Sequence, residues 1–358
     1  MFGLFKWANA HKERLATLSL ILGFVVDIIT FRNIDLSLSQ IILGVHLAIV
    51  AGTILILAIP SKEKKTFFSG VRAWLPVLQQ YSMGNLFSAF LVLYSASGSI
   101  MANWPFLALV AVAILGNEGI KLQKYRLPFQ TTLFFLNLLL YTALAVPIAA
   151  NHIGVTTFVL SVVVASIVFI AFVRLGRIIS PMAFKKHWRL IRVGWVSVSV
   201  CLFALYFTNV IPPIPLSVKM AHVYHSVELT DGTYTVVREV REPWWYLANL
   251  TGETLHLVPG QSAYILTSVF APANFAENVV HHWQFYDEIN KKWKTQNTIH
   301  FPIVGGRQGG YRGFSLTQNP SPGKWRISIE TVRGQVIGRT YLSVERVLTP
   351  PETELYTL

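Results

Sequence analysis

Seven apolar stretches, at residues 15–31, 37–59, 74–95, 100–117, 128–147, 153–173 and 191–211, dominate the first 211 residues of this chain. A helix needs about 20 apolar residues to cross the hydrocarbon core of a bilayer, and each stretch comes close to that length. The basic residues between them alternate sides. Lys6, Lys12 and Arg14, then Lys62, Lys64, Lys65 and Arg72, then Lys121, Lys124 and Arg126, then Arg174, Arg177, Lys185, Lys186, Arg189 and Arg192 all fall on one side, and the opposite loops carry only Arg32. Basic loops stay in the cytoplasm. The pattern predicts a multi-pass protein of the inner (cytoplasmic) membrane with seven transmembrane helices, a cytoplasmic N-terminus and an extracytoplasmic C-terminal domain. The third stretch is the least regular, because Gln79, Gln80, Tyr81, Ser82 and Asn85 fall at its start, and a re-entrant helix would read the same way. The charge alternation favours a crossing there.

Only 13% of the residues are charged and the mean hydropathy is +0.49, too apolar for an ordinary soluble protein. The net charge of +13 would suggest nucleic acid if it were spread evenly. It is not: residues 1–211 hold 17 Lys and Arg against 5 Asp and Glu, whereas residues 212–358 hold 13 against 12. The excess belongs to the short loops that orient a membrane protein, and no nucleic-acid partner is expected. The basic N-terminus leads into residues 15–31 without a clear cleavage signal, so that stretch is expected to be an uncleaved first span. Cys201 is the single cysteine, which excludes an intramolecular disulfide and a thiolate metal site.

The period changes after Ile211. Pro212, Pro213 and Pro215 cannot continue a helix, and residues 212–221 are expected to form a stiff, extended junction that holds the next domain away from the bilayer. Beyond it, Lys324–Thr331 reads KWRISIET, which puts Trp325, Ile327 and Ile329 on one face of a strand and Arg326, Ser328 and Glu330 on the other. Similar runs occur at His222–Leu229, Thr233–Val240, Ala263–Ala271, Val279–Tyr286, Tyr311–Leu316 and Gln335–Val344. Seven short strands broken by Gly, Pro and Asn predict an all-β, immunoglobulin-like sandwich over residues 222–358, with Trp283 and Trp325 in its core.

Several segments of this half carry a resemblance: HHWQFYD at His281–Asp287, FPIVGGR ending at Arg307, GYRGFS at Gly310–Ser315, PGKWRISIE at Pro322–Glu330 and GQVIGR at Gly334–Arg339. The run His281–Val344 resembles the bacterial domain of unknown function 2914. The helical half and the YFTNVIPPIPLSVK junction at Tyr206–Lys219 also look like members that pair this domain with a membrane region. The resemblance implies architecture and lends no catalytic residues.

Two loops of the C-terminal half could face a ligand. Gly305, Gly306, Arg307, Gly309, Gly310, Tyr311 and Arg312 combine glycines, whose amides can turn inward around an anion, with guanidinium forks for carboxylate or phosphate. A glycine-rich connection with arginines stacked on aromatics is the plainer reading. Trp244 and Trp245 could stack on sugar rings or lie at a membrane surface, or simply pack. In the membrane half, Tyr81, Asn85 and Ser88 share a helix face and His46 falls near mid-bilayer. Interhelical hydrogen bonding explains them, and a polar path is the functional alternative. His222 with His225, and His281 with His282, point to opposite strand faces, so no metal and no cofactor is expected.

No nucleophile elbow, zinc-helix motif or close carboxylate pair occurs. The expected function is a non-enzymatic envelope binding or scaffold protein whose β-domain recognises a glycan, lipid headgroup or protein outside the cytoplasm. A transporter or channel with a polar path along the third transmembrane helix, and a membrane-embedded enzyme on lipid-linked substrates, are the alternatives.

Overall fold

The structure is a computed structural model that describes residues 36–60, 67–119, 126–240, 253–307 and 309–358. The expected first span, 15–31, and the pair Trp244 and Trp245 lie outside the described residues. The chain divides into two compact units at Ile211/Pro212, with residues 96–103 grouped with the second.

The first unit is helical: α1 Leu36–Ala58, α2 Phe67–Ala96, α3 Ile100–Gly119, α4 Arg126–Ala150, α5 Val155–Ile179 and α6 Pro181–Phe207. Four helices among the described residues are long and apolar enough to cross a membrane, at Leu38–Ala58, Arg126–Ala150, Val155–Ile179 and Pro181–Phe207, where the sequence predicts seven. The shortfall has identifiable causes. The third stretch lies within α2, where Gln79, Gln80, Ser82, Asn85 and Ser88 dilute its hydropathy, and the described apolar part of α3 is only Met101–Ala113.

The sixth helix corrects a second expectation, since it starts at Pro181 rather than near residue 191, and Ser180 alone separates it from α5. Lys185, Lys186, Arg189 and Arg192 thus extend a helix instead of forming a loop. Hydropathy reports the length that suits lipid, whereas Lys and Arg are good helix formers and let α6 run to about 40 Å. The Ser180 hydroxyl donates to the Ala58 carbonyl at the end of α1 (2.7 Å), which brings these two helix ends together.

Helix α4 is the most enclosed of the four. Phe134 and Phe135 pack with Phe169 and Phe172 of α5, and Phe135 also meets Trp195 of α6. Its polar side chains turn back on their own helix: Thr131 and Thr132 bond the Pro128 carbonyl, and Asn137 bonds that of Leu133. Such bonds satisfy polar groups without bringing water into lipid. At Gly194 of α6 a Cβ would stand 2.0 Å from Thr132 Oγ1, so any larger residue would have to displace the Thr132 side chain for the helices to approach this closely.

The described residues of the second unit form eleven strands: β1 Ser217–Tyr224, β2 Ser226–Thr230, β3 Thr233–Glu239, β4 Glu253–Leu257, β5 Ala263–Phe270, β6 Ala276–Asp287, β7 Lys292–Val304, β8 Tyr311–Thr317, β9 Gly323–Thr331, β10 Val336–Arg346 and β11 Thr353–Thr357. They form sheets in the orders β1-β5-β8, β4-β10-β9-β6-β7 and β11-β3-β2. Val223, Ala263 and Ile265 of the first sheet meet Leu255, Leu257, Trp283, Trp325, Ile327, Leu342 and Val344 of the second, so the core is that of a β-sandwich. Both predicted core tryptophans lie in it.

Three differences from the expected strands are informative. The run His222–Leu229 breaks at His225 into β1 and β2, which belong to separate sheets. Strands β4, β7 and β11 carry too little apolar alternation to read as strands, β4 being only five residues and paired parallel to β10. The expected junction, residues 212–221, overlaps the first strand: Ile214 and Leu216 donate to the carbonyls of Pro212 and Pro213 in a turn, and β1 already begins at Ser217.

Candidate functional site

Alternation gives the five-stranded sheet two unlike faces. Inward go Trp283 and Phe285 of β6, Trp325 and Ile327 of β9, and Leu342 and Val344 of β10. The register sets the opposite face: Gln284 lies across from Arg326, Arg326 from Tyr341, Ser328 from Arg339, and Tyr286 from Trp293. Cross-strand neighbours on one face lie close enough for their side chains to interact.

On that outward face the Arg326 guanidinium sits 4.5 Å from the centroid of the Trp293 ring. Tyr286 and Tyr341 flank the indole, with ring centroids 5.0 Å and 6.2 Å away. Arg326 Nε donates to Gln284 Oε1 (2.8 Å), and Arg339 Nε donates to Ser328 Oγ (3.0 Å). Lys324 Nζ lies 5.8 Å from the Tyr286 centroid and pairs with Glu288. Burial and the neighbouring positive charge of Arg339 both hold the Arg326 guanidinium below its ordinary range. The result is a half-buried aromatic surface pinned by cations. Sequence reasoning missed it, although Trp293 and Tyr286 are partners across the short hairpin that joins β6 to β7.

The predicted glycine-rich loop is put to a different use. Gly305 N donates to Phe275 O, Gly306 N to Ala271 O and Gly310 N to Arg307 O, so these three amides serve the fold. Arg307 stacks on Tyr311 at 5.7 Å, and the Arg312 carbonyl accepts the Tyr234 hydroxyl. A Cβ on Gly305 would stand 1.7 Å from the Pro272 carbonyl oxygen, whereas one on Gly309 meets nothing within 4 Å. Gly305→Ala should therefore lower the melting temperature of the β-domain by several degrees, roughly a 1–3 kcal/mol loss, while Gly309→Ala should leave it nearly unchanged; thermal unfolding of the two variants checks this.

His281 and Ser315 are within 2.8 Å, but they make a core network and not a nucleophile. His281, Ser315 and Thr267 are all buried. Thr267 Oγ1 donates to Gly313 O, and so accepts from His281 Nε2 (2.9 Å). His281 Nδ1 then accepts from Ser315 Oγ, which in turn accepts from Trp283 Nε1 (3.0 Å). Every polar atom of the neutral imidazole is satisfied, and burial pushes its pKa down to about 3. His282, one residue on, points the other way toward Glu330.

A second polar cluster lies near the start of β2. Glu239 Oε1 accepts from His256 N (2.6 Å) and His225 Nε2 (3.0 Å), and Oε2 from His256 Nδ1 (2.8 Å). Burial pushes the Glu239 carboxyl up, but the bonds from His225 and His256 more than offset it and leave it below the ordinary range. Among the described residues no group of three His, Cys, Asp or Glu side chains is arranged to hold a metal ion.

In the helical unit, the His46 ring lies edge-on to Tyr81 at 6.0 Å. Tyr81 is half exposed, Asn85 is partly buried and Ser88 is buried. Gln79 and Ser82, one turn apart on α2, are buried too. The amide of Gln79, the hydroxyls of Ser82 and Ser88, and Nδ1 of His46 meet no hydrogen-bonding group among the described residues.

No curated protein matches the chain. Among solved structures, an immunoglobulin-like protein from Pseudomonas aeruginosa aligns over 36% of this chain and 96% of its own, with 6% identity and a TM-score of 0.21. A β-glucosidase from Listeria innocua in complex with isofagomine aligns over 32% of this chain and 17% of its own (10% identity, TM-score 0.18). An alkylpurine DNA glycosylase from Pseudomonas fluorescens, bound to DNA containing an abasic site analogue, aligns over 84% and 96% (10% identity, TM-score 0.22). At such scores none of the three bears on fold or function. Residues 276–344, which hold every side chain of the aromatic face, match the sequence profile of the family described as "Protein of unknown function (DUF2914)".

Proposed function

We propose that this is a non-enzymatic membrane protein whose β-domain binds an envelope component outside the cytoplasm through the outward face of its five-stranded sheet. The observation that carries the reading is the Trp293 indole, stacked on Arg326 and flanked by Tyr286 and Tyr341 on a face that contributes nothing to the sandwich core. Rigid aromatics with a cation beside them are a recognition surface, because they offer contact area at little cost in conformational entropy. In this reading the domain is immunoglobulin-like, the helical half is embedded in the inner membrane, and the basic residues keep the N-terminus in the cytoplasm.

Retention of solubilised envelope material by the immobilised full-length protein tests the binding claim: native protein should retain specific components and Trp293→Ala should lose them. Retention that is unchanged in the variant would sink it. Orientation has its own check. A reporter enzyme active only outside the cytoplasm should be active when fused after Leu358 and silent when fused between Lys62 and Lys65.

The buried polar atoms of α2 favour a second reading, a hydrated path through the helical half. An unpaired polar group in an apolar interior costs about 1–3 kcal/mol, and Gln79 and Ser82 stand side by side with no partner among the described residues. In a Cys201→Ala background, Gln79→Cys should react with a water-soluble thiol reagent if the path exists. A thiol that stays unreactive in the folded protein would exclude it.

A further inference from the structure

We infer that the ligand of the outward sheet face is an anionic carbohydrate, laid across strands β7, β6, β9 and β10 with a sugar ring on Trp293 and a carboxylate or phosphate group on Arg326 and Arg339. This rests on the proposed binding role of that face and adds the chemical class of what it binds.

Three features select the class. The first is shape: four adjacent strands span about 14 Å, three strand spacings, which suits a short oligosaccharide better than a single small ion. The second is the ring itself. Trp293 lies against Arg326 with tyrosines on either side, and none of Trp293, Tyr286 or Tyr341 is among the strongly exposed apolar side chains. A flat, half-buried ring can stack on the apolar face of a sugar but cannot insert into a bilayer, where protruding tips are needed.

The third feature is charge. Arg326 and Arg339 are anchored through Nε by Gln284 and Ser328, both neutral, so each guanidinium is oriented without being neutralised. Glu330 is the acidic side chain beside Arg326 on this face, and it is also shared with His282. Two like charges held side by side repel, and an anion between them relieves that repulsion with forked hydrogen bonds. Gln284, Ser328 and Thr295 supply the amide and hydroxyl partners that sugar hydroxyls require.

The test measures binding of the full-length protein in detergent to three probes: an oligogalacturonate, a neutral glucan oligosaccharide of equal length, and vesicles of phosphatidylglycerol. The acidic oligosaccharide should bind at least tenfold tighter than the neutral one, and should lose at least tenfold in Arg339→Gln and in Trp293→Ala. Trp293→Phe, which keeps a ring, should retain most of the binding, and unchanged melting temperatures exclude unfolding as the cause. Equal binding of acidic and neutral probes that is lost in Trp293→Ala would overturn the anionic class while leaving the binding face standing. Binding of vesicles but neither sugar would overturn the carbohydrate. Binding of none of the three would also overturn it, and the envelope-retention assay then decides separately whether the face binds anything.

Discussion

Acidification from pH 7 to pH 4 should cost the β-domain about 3 kcal/mol through His281 alone. The sign follows from the protons. Folded, the buried imidazole has its pKa pushed down to about 3, whereas in the unfolded chain it returns to about 6.5, so the unfolded state binds the extra proton between those values. Stability is therefore full above about pH 6.5 and is lost as pH falls through this window, at about 1.4 kcal/mol per pH unit. Glu239, held below its ordinary range, contributes loss in the same direction. The measurement is denaturant unfolding of native protein and His281→Gln across this range, followed by tryptophan fluorescence. The variant should be less stable at pH 7, because Ser315 and Thr267 lose their partner, and its pH dependence should be shallower by about one proton. Equal slopes would mean that His281 is not held neutral and sequestered in the folded domain.

The two tryptophans of the central hairpin should behave oppositely. Trp283→Ala should cost about 3–5 kcal/mol, since the side chain is fully buried between the sheets and its Nε1 holds Ser315 in place. Trp293→Ala should cost only about 1 kcal/mol, the scale of an aromatic stacking contact at a half-exposed site. Unfolding free energies of both variants, taken with their ligand retention, separate core from recognition surface. If Trp293→Ala destabilises as severely as Trp283→Ala, the outward face is a structural element.

How much of this was legible in the sequence depended on whether a residue's role was local. KWRISIET shows its two faces without any partner, and Trp325 lies where that alternation puts it. The bases at 174–192 were visible, but whether they lie in a loop or on a helix was not, because hydropathy does not measure helix length. Strand β7 was hidden for a physical reason: it is an edge strand with a register irregularity opposite Trp283/Gln284, so its period is broken and its surface polar. Trp293 was lost with it. In the glycine-rich loop the turn was legible, but the direction of its amides is fixed by Ala271 and Phe275, at the end of β5 and just before β6. The buried Gln79 and Ser82 read only as irregularities in a span, since hydropathy does not tell which polar side chains face lipid and which face protein.

The most direct test of the outward face is a photo-crosslinking amino acid placed at Thr295, which is exposed on β7 and lies across from Gln284, in full-length protein in intact cells. Leu229, exposed on β2 in another sheet, is the matched control. The account predicts adducts to envelope material from position 295 that disappear with Trp293→Ala, and none from position 229. Equal adducts from both positions, or adducts at 295 that survive the loss of Trp293, would contradict it.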